Sequence, residues 1–248
     1  MNLILLLLIY FGFNASSQTY RNIYKHKSNI MYSAGISTQQ VLFNHPAANS
    51  MYFDNDKDFT EGGSFDGAQT GIDLRVMYIL PDYEKIYLSS GLEYTFFSSK
   101  EQYAISNTSV TNYSHKINLF SPYIGAYYRI LRVPLANTNI YIGPELKLNY
   151  IHNGQFQYYI ENLQDNEKSQ LIDKYYKANT FRLGGLLRIG AEGEISEEIG
   201  ANISIGLHWV NMIGKDNSYG ELLTISRNEK TEINLFMINF NISIFYRE

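Results

Sequence analysis

Ile199-Gly200-Ala201-Asn202-Ile203-Ser204-Ile205-Gly206-Leu207-His208-Trp209 alternates without a break. Ile199, Ala201, Ile203, Ile205, Leu207 and Trp209 share one parity, and Gly200, Asn202, Ser204, Gly206 and His208 the other. Successive side chains of a strand point to opposite faces, so this run has one apolar and one polar face. The pattern recurs seven times, in 30–43, 70–80, 86–96, 120–130, 140–150, 181–191 and 236–246. Strands of roughly 10 to 15 residues exceed the usual five or six and suit a tilted crossing of a membrane. No long window has helical periodicity, and only Leu163 to Lys177 is expected to hold a short helix, inside a loop.

The connections alternate in length. Segments 44–66, 98–116, 153–179 and 211–232 are long, whereas 81–85, 132–137 and 193–198 are short. In an up-and-down sheet every second connection lies at the same end. Long extracellular loops and short periplasmic turns are the habit of outer-membrane barrels. The expected fold is therefore all-β, an eight-stranded antiparallel up-and-down transmembrane β-barrel.

The polar face decides which side points inward. It carries Gly35, Gly71, Gly91, Gly125, Gly143, Gly184, Gly190, Gly200 and Gly206. Glycine weakens a strand interior, but it fits the crowded inside of a narrow barrel. The charges on that face nearly cancel: Arg75, Arg129, Lys147, Arg182 and Arg188 against Asp73, Glu93, Glu145 and Glu192. Charges withdrawn from water must pair, because an unpaired one costs several kcal/mol. With His208, these nine residues are expected to form a polar network filling the lumen. Aromatics gather near strand ends, at Tyr78, Tyr94, Phe96, Tyr128, Tyr150 and Tyr246, as interfacial girdles do.

Composition narrows the function classes. The 248 residues carry a net charge of −4, which argues against nucleic-acid binding. With no cysteine there is neither a disulfide framework nor a thiolate metal site. The five histidines are scattered, no Walker, HExxH or GxSxG pattern appears, and neither a catalytic residue nor a cofactor is expected. His152 is the weak candidate for a catalytic base. The acidic run Asp54-Asn55-Asp56-Lys57-Asp58 resembles the start of a calcium loop but lacks the glycine and distal glutamate. Tyrosines crowd the long connections, among them Tyr52, Tyr103, Tyr113, Tyr158, Tyr159, Tyr175 and Tyr176, as in binding loops.

Leu3 to Phe13 is an apolar run too short to span a bilayer, followed by Ala15 and Ser17. It reads as an export signal, residues 1–17, cleaved before Gln18. Residues 18–28 then form a short periplasmic segment, and 29–248 the barrel.

Tyr32-Ser33-Ala34-Gly35-Ile36, the stretch Ile117 to Tyr128 with Pro122, and Ile140-Tyr141-Ile142-Gly143-Pro144-Glu145-Leu146 carry a family likeness. The chain resembles the outer-membrane β-barrel family common in Bacteroidota, of the eight-stranded PorT-like and OmpX-like kind. Many such barrels end in an aromatic residue, whereas Phe245 and Tyr246 precede Arg247-Glu248 here. The resemblance implies no shared catalytic motif. It implies an outer-membrane scaffold or surface-interaction protein of a Gram-negative bacterium. Its partners would be membrane lipid and lipopolysaccharide, the barrel-insertion machinery, and a surface ligand or envelope protein met through the loops. The alternatives are a narrow small-solute pore and a secreted, soluble, lipocalin-like ligand-binding barrel.

Overall fold

The computed structural model describes residues 29–43, 45–54, 59–81, 83, 85–134, 137–163, 171–216, 222–224 and 232–247. The expected leader and the segment following it lie outside the described residues, as does most of the acidic run after Asp54.

Among the described residues all regular structure is β, apart from a 3-10 turn at Pro46–Ala48. The strands are β1 (Ile30–Val41), β2 (Tyr52–Asp54), β3 (Phe59–Glu61), β4 (Gln69–Ile79), β5 (Ile86–Ser106) and β6 (Ser109–Val133). They continue as β7 (Thr138–Asn162), β8 (Leu171–Lys177), β9 (Thr180–Glu194), β10 (Ile199–Ile213) and β11 (Phe236–Arg247). Strands β2 and β3 form a small hairpin of their own. The main sheet has nine strands in the order β6-β5-β4-β1-β11-β10-β9-β7-β8, and β6 also pairs with β7. The hydrogen bonding is thus ring-like, with β8 on the same edge of β7 as β9 and in the same register, Lys177 opposite Gly154 and Thr180 opposite Ile151.

This corrects the expected eight-stranded barrel on two points. The sheet holds nine strands, because residues 171–177 of the stretch where a short helix was expected form β8, which pairs antiparallel with β7, Gly154 opposite Lys177; residues 164–170 of that stretch lie outside the described residues. Two of the expected long loops are largely strand. β5 and β6 run on together until only Asn107 and Thr108 separate them, with Gln102 opposite Asn112, and β7 continues to Asn162. Here neither face is uniformly apolar, so the period-two signal fades while the backbone ladder persists. Ring contacts replace it, Tyr103 to Tyr113 at 5.6 Å and Tyr113 to Tyr158 at 6.0 Å.

The first long connection is also folded in. Gly63, Ser64 and Phe65 donate backbone N–H groups to Pro46, Asn49 and Ala47. Glu101 of β5 accepts from the Met51 backbone N–H at 2.8 Å, the Ser64 hydroxyl at 2.5 Å and the Tyr103 hydroxyl at 2.7 Å. Gly62, at φ +84°, makes the turn, and a Cβ there would strike the carbonyl of Ser50.

Strands β6 and β7 form the most irregular seam. Their register shifts between Lys116 and Asn118 and between Arg129 and Leu131. Pairing is also interrupted, with the register kept, at Ser121–Pro122 and at Ala126–Tyr127, opposite Gly143–Pro144. A proline has no N–H for the ladder. At Gly143 a Cβ would overlap the carbonyl oxygen of Ala126 and crowd the Tyr127 backbone, so the strands approach as closely as they do only because the residue is glycine. Gly143→Ala is expected to cost about 1–3 kcal/mol by overpacking. Gly67→Ala, with nothing within 4 Å of the added carbon, should be neutral. The temperature at which the folded band disappears in unboiled gels checks both.

Candidate functional site

The two faces of the ring sheet are opposite in character. Ile36 is 63% exposed, Ile124 61% and Ile244 62%, whereas Lys147 is 0% and Arg188 1% exposed. The exposed face is apolar along all eight strands of the ring, and the enclosed face carries the charges.

Strand β7 displays the layering of the enclosed side. Tyr141 lies among Met31, Met77, Ile79, Tyr87, Tyr127 and Phe245, an apolar and aromatic layer near the short turns. Glu145 and Lys147 follow, two and three side chains along the same face. Ile151 then joins Val41, Phe97, Leu119, Val210 and Met237 in a second apolar layer. Ala47, Phe65, Leu222, Leu223 and Leu235 reach into that layer from the long connections. The ionised middle is therefore covered by apolar groups at both ends.

Within the middle, Glu145 accepts from Arg188 Nε at 2.5 Å and Nη2 at 3.2 Å and from the Tyr127 hydroxyl, with Lys147 Nζ at 3.7 Å. Lys147 also pairs with Glu93, which takes a 2.6 Å bond from Asn239 Nδ2. Asp73 accepts from Arg75 Nη2 at 2.9 Å, the Tyr123 hydroxyl at 2.7 Å and Asn241 Nδ2 at 3.1 Å. Arg75 Nε donates back to Tyr123 at 2.9 Å. His208 is held at both ring nitrogens, by Gln39 at 3.2 Å and Asn149 at 3.4 Å.

Asp73, Arg75, Glu93, Glu145, Lys147, Arg188 and His208, read from parity as one network, thus meet in the ring. The other three do not join it. Arg182 sits higher and makes a two-pronged pair with Glu232, Nη2 to Oε2 at 2.6 Å. Glu232 lies in a long connection, where no periodicity marks it. Glu192 accepts from Tyr87 at 2.9 Å near the short turns. Arg129 donates Nε to that same Tyr87 at 2.7 Å, so a phenol separates it from the carboxylate. The sequence reading missed Tyr87, Tyr123, Tyr127 and Tyr141. Their parity, shared with Glu93, Arg129 and Glu145, was the available signal.

On the exposed face, aromatic rings mark both edges of the apolar zone. At the capped edge Tyr150 stacks on Phe181 at 4.3 Å and on His152 at 5.0 Å, with Tyr94 and Phe96 4.8 Å apart and Trp209 5.2 Å from Phe236. His152 thus stands among these rings, and among the described residues no serine is paired with it. Tyr32, Tyr78, Tyr128 and Tyr246 are exposed at the other edge. Phe236 to Tyr246 spans about 34 Å of strand, or about 25 Å in height at the usual tilt of membrane strands.

The chain has no cysteine. Among the described residues no group of three or more His, Asp or Glu could hold a metal, and no helix is long and apolar enough to cross a membrane. No family model and no curated protein matches the chain. Among solved structures it is similar to Neisserial surface protein A, with a TM-score of 0.48 at 8% identity over 90% of this chain and 99% of that one. It is similar to Ail, the attachment invasion locus protein of Yersinia pestis, with a TM-score of 0.44 at 10% identity over 88% and 97%. The translocator domain of autotransporter NalP from Neisseria meningitidis gives 0.37 at 8% over 88% and 87%.

Two outcomes follow from the geometry. Arg188→Met should destabilise the protein by about 3–5 kcal/mol, because Glu145 is left charged and buried. Adding Glu145→Gln should recover part of that loss, which a double-mutant cycle in denaturant measures. The second concerns the capping turn. His45, at its start, accepts the Ala47 N–H at Nδ1, and burial pushes its pKa down to about 4 against an opposing pull from Glu232. The unfolded state binds the proton first, so this contribution is intact above pH about 6.5 and declines as pH falls toward 4. Amide exchange at 45–51 and 62–65 should accelerate over that window, by on the order of 3 kcal/mol at its acid end.

Proposed function

We propose that the chain is a non-catalytic outer-membrane protein of a Gram-negative bacterium. Its ring-like sheet stands in the bilayer as an envelope scaffold and presents its capped end for surface interaction. The inversion of polarity carries this reading: an apolar outer face edged by two rings of aromatics, around an enclosed face of paired charges. A water-soluble protein arranged this way would expose its apolar face to water and bury ions inside it, whereas in lipid both faces meet a suitable neighbour. A secreted lipocalin-like barrel requires the opposite polarity. Lipid and lipopolysaccharide are the neighbours of the apolar face, and the insertion machinery of the envelope its route there. The short turns then face the periplasm. The end bearing Tyr103, Tyr113 and Tyr158 faces outward, where aromatic side chains supply contact area at low entropic cost.

The two apolar layers and the ion pairs between them support a filled interior. A narrow pore is the second reading, favoured by Ser37, Asn239, Asn241 and Ser243, buried polar side chains on β1 and β11 with oxygens that lack partners. Fractionation should yield a membrane band whose gel mobility changes on boiling, and planar bilayers holding the protein should show no resolved conductance steps. A soluble band that does not shift would end the membrane reading, and regular steps would favour the pore.

A further inference from the structure

At the short-turn end the ring opens into a polar pocket of about 370 Å³. Arg129, Arg132 and Arg247 line it with Asn137, Asn139 and Glu194. Its floor includes Ile79, part of the apolar layer that closes the interior, so the pocket is a blind vestibule.

The charges here follow a different rule from those deeper in. Arg75, Lys147, Arg182 and Arg188 each pair directly with a carboxylate within 4.0 Å. Among the described residues Arg129 and Arg132 make no such pair. Arg129 spends Nε and Nη2 on the neutral Tyr87 hydroxyl. Arg132 reaches only the Asn137 side-chain oxygen, at 3.3 Å. The wall contributes one acid among the described residues, Glu194, and Asn137 Nδ2 holds it at 2.9 Å. Arg129 and Arg132 thus line the pocket with guanidinium groups that no carboxylate of the described residues meets within 4.0 Å, and Glu192 lies behind the Tyr87 hydroxyl. A guanidinium presents a planar fork of donors that fits an oxyanion two bonds at a time.

We propose that this vestibule is an oxyanion-binding site, taking a phosphate group between Arg129 and Arg132. The phosphate comes either from a free anion or from an anionic lipid headgroup at the level of Tyr78 and Tyr128. The site itself follows from the residues alone, while its placement on the periplasmic side rests on the proposed membrane orientation.

The test uses the full chain in non-ionic detergent at low ionic strength, titrated calorimetrically with inorganic phosphate. A parallel arm measures retention of phosphatidylglycerol by protein from mixed-lipid nanodiscs. Wild type should bind one equivalent saturably. Arg132→Gln, on the exposed rim, should weaken binding about tenfold, and the double variant with Arg129→Gln should abolish it. Each variant is accepted only when its boiling-dependent gel shift matches wild type. Calorimetric binding without lipid retention assigns the free anion. Arginine-dependent lipid retention assigns the headgroup. Absence of both, or binding that Arg132→Gln leaves unchanged, overturns the site. Gel shift and fractionation report on the membrane reading separately, so either can fail without the other.

Discussion

Glu145 receives three donors and a nearby ammonium in a space that apolar layers close at both ends. Much else in the molecule is arranged around that condition. Ions removed from water are tolerable only when each lone pair and each proton has a partner. The strands must therefore hold Arg188, Lys147 and Tyr127 in register from β9, β7 and β6 at once, and small residues must let them approach. A Cβ at Gly91 would strike the Tyr123 hydroxyl and one at Gly190 that of Tyr141, so each glycine makes room for a ring, Tyr123 bonded to Asp73 and Tyr141 to Asn202.

The exposed face depends on the same condition from the other side. With polar groups turned inward, period-two geometry forces apolar groups outward. The outward face holds branched aliphatics at mid-height and tyrosine, tryptophan and histidine at the edges. This is the order a bilayer imposes, since amphipathic rings sit where hydrocarbon gives way to headgroups.

Eight of the nine strands of the main sheet were legible in the sequence because each crosses a zone where its two faces meet different media. The upper halves of β5, β6 and β7, and all of β8, lie beyond that zone. Ser98 to Lys116 alternates among polar residues on both parities, so a hydropathy reading takes it for loop. Which side chains point inward was equally legible, because parity alone assigns Asp73, Glu93 and Arg188 to one face. Who pairs with whom was not. Arg182 meets Glu232 across 50 residues, from a connection without periodicity. The separate state of Arg129 depends on a tyrosine interposed in three dimensions.

The ring joins β1 to β11, bringing Tyr32 opposite Tyr246. The two strands farthest apart in the chain are thus hydrogen-bonded neighbours, and the first cannot find its partner until the last has been synthesised. Until then, a chain rich in apolar strands has open edges and no complete sheet to occupy. Open edges recruit other chains, and non-local pairing is slow. The β1–β11 seam is therefore the most non-local pairing of the ring, and its two edges stay open longest.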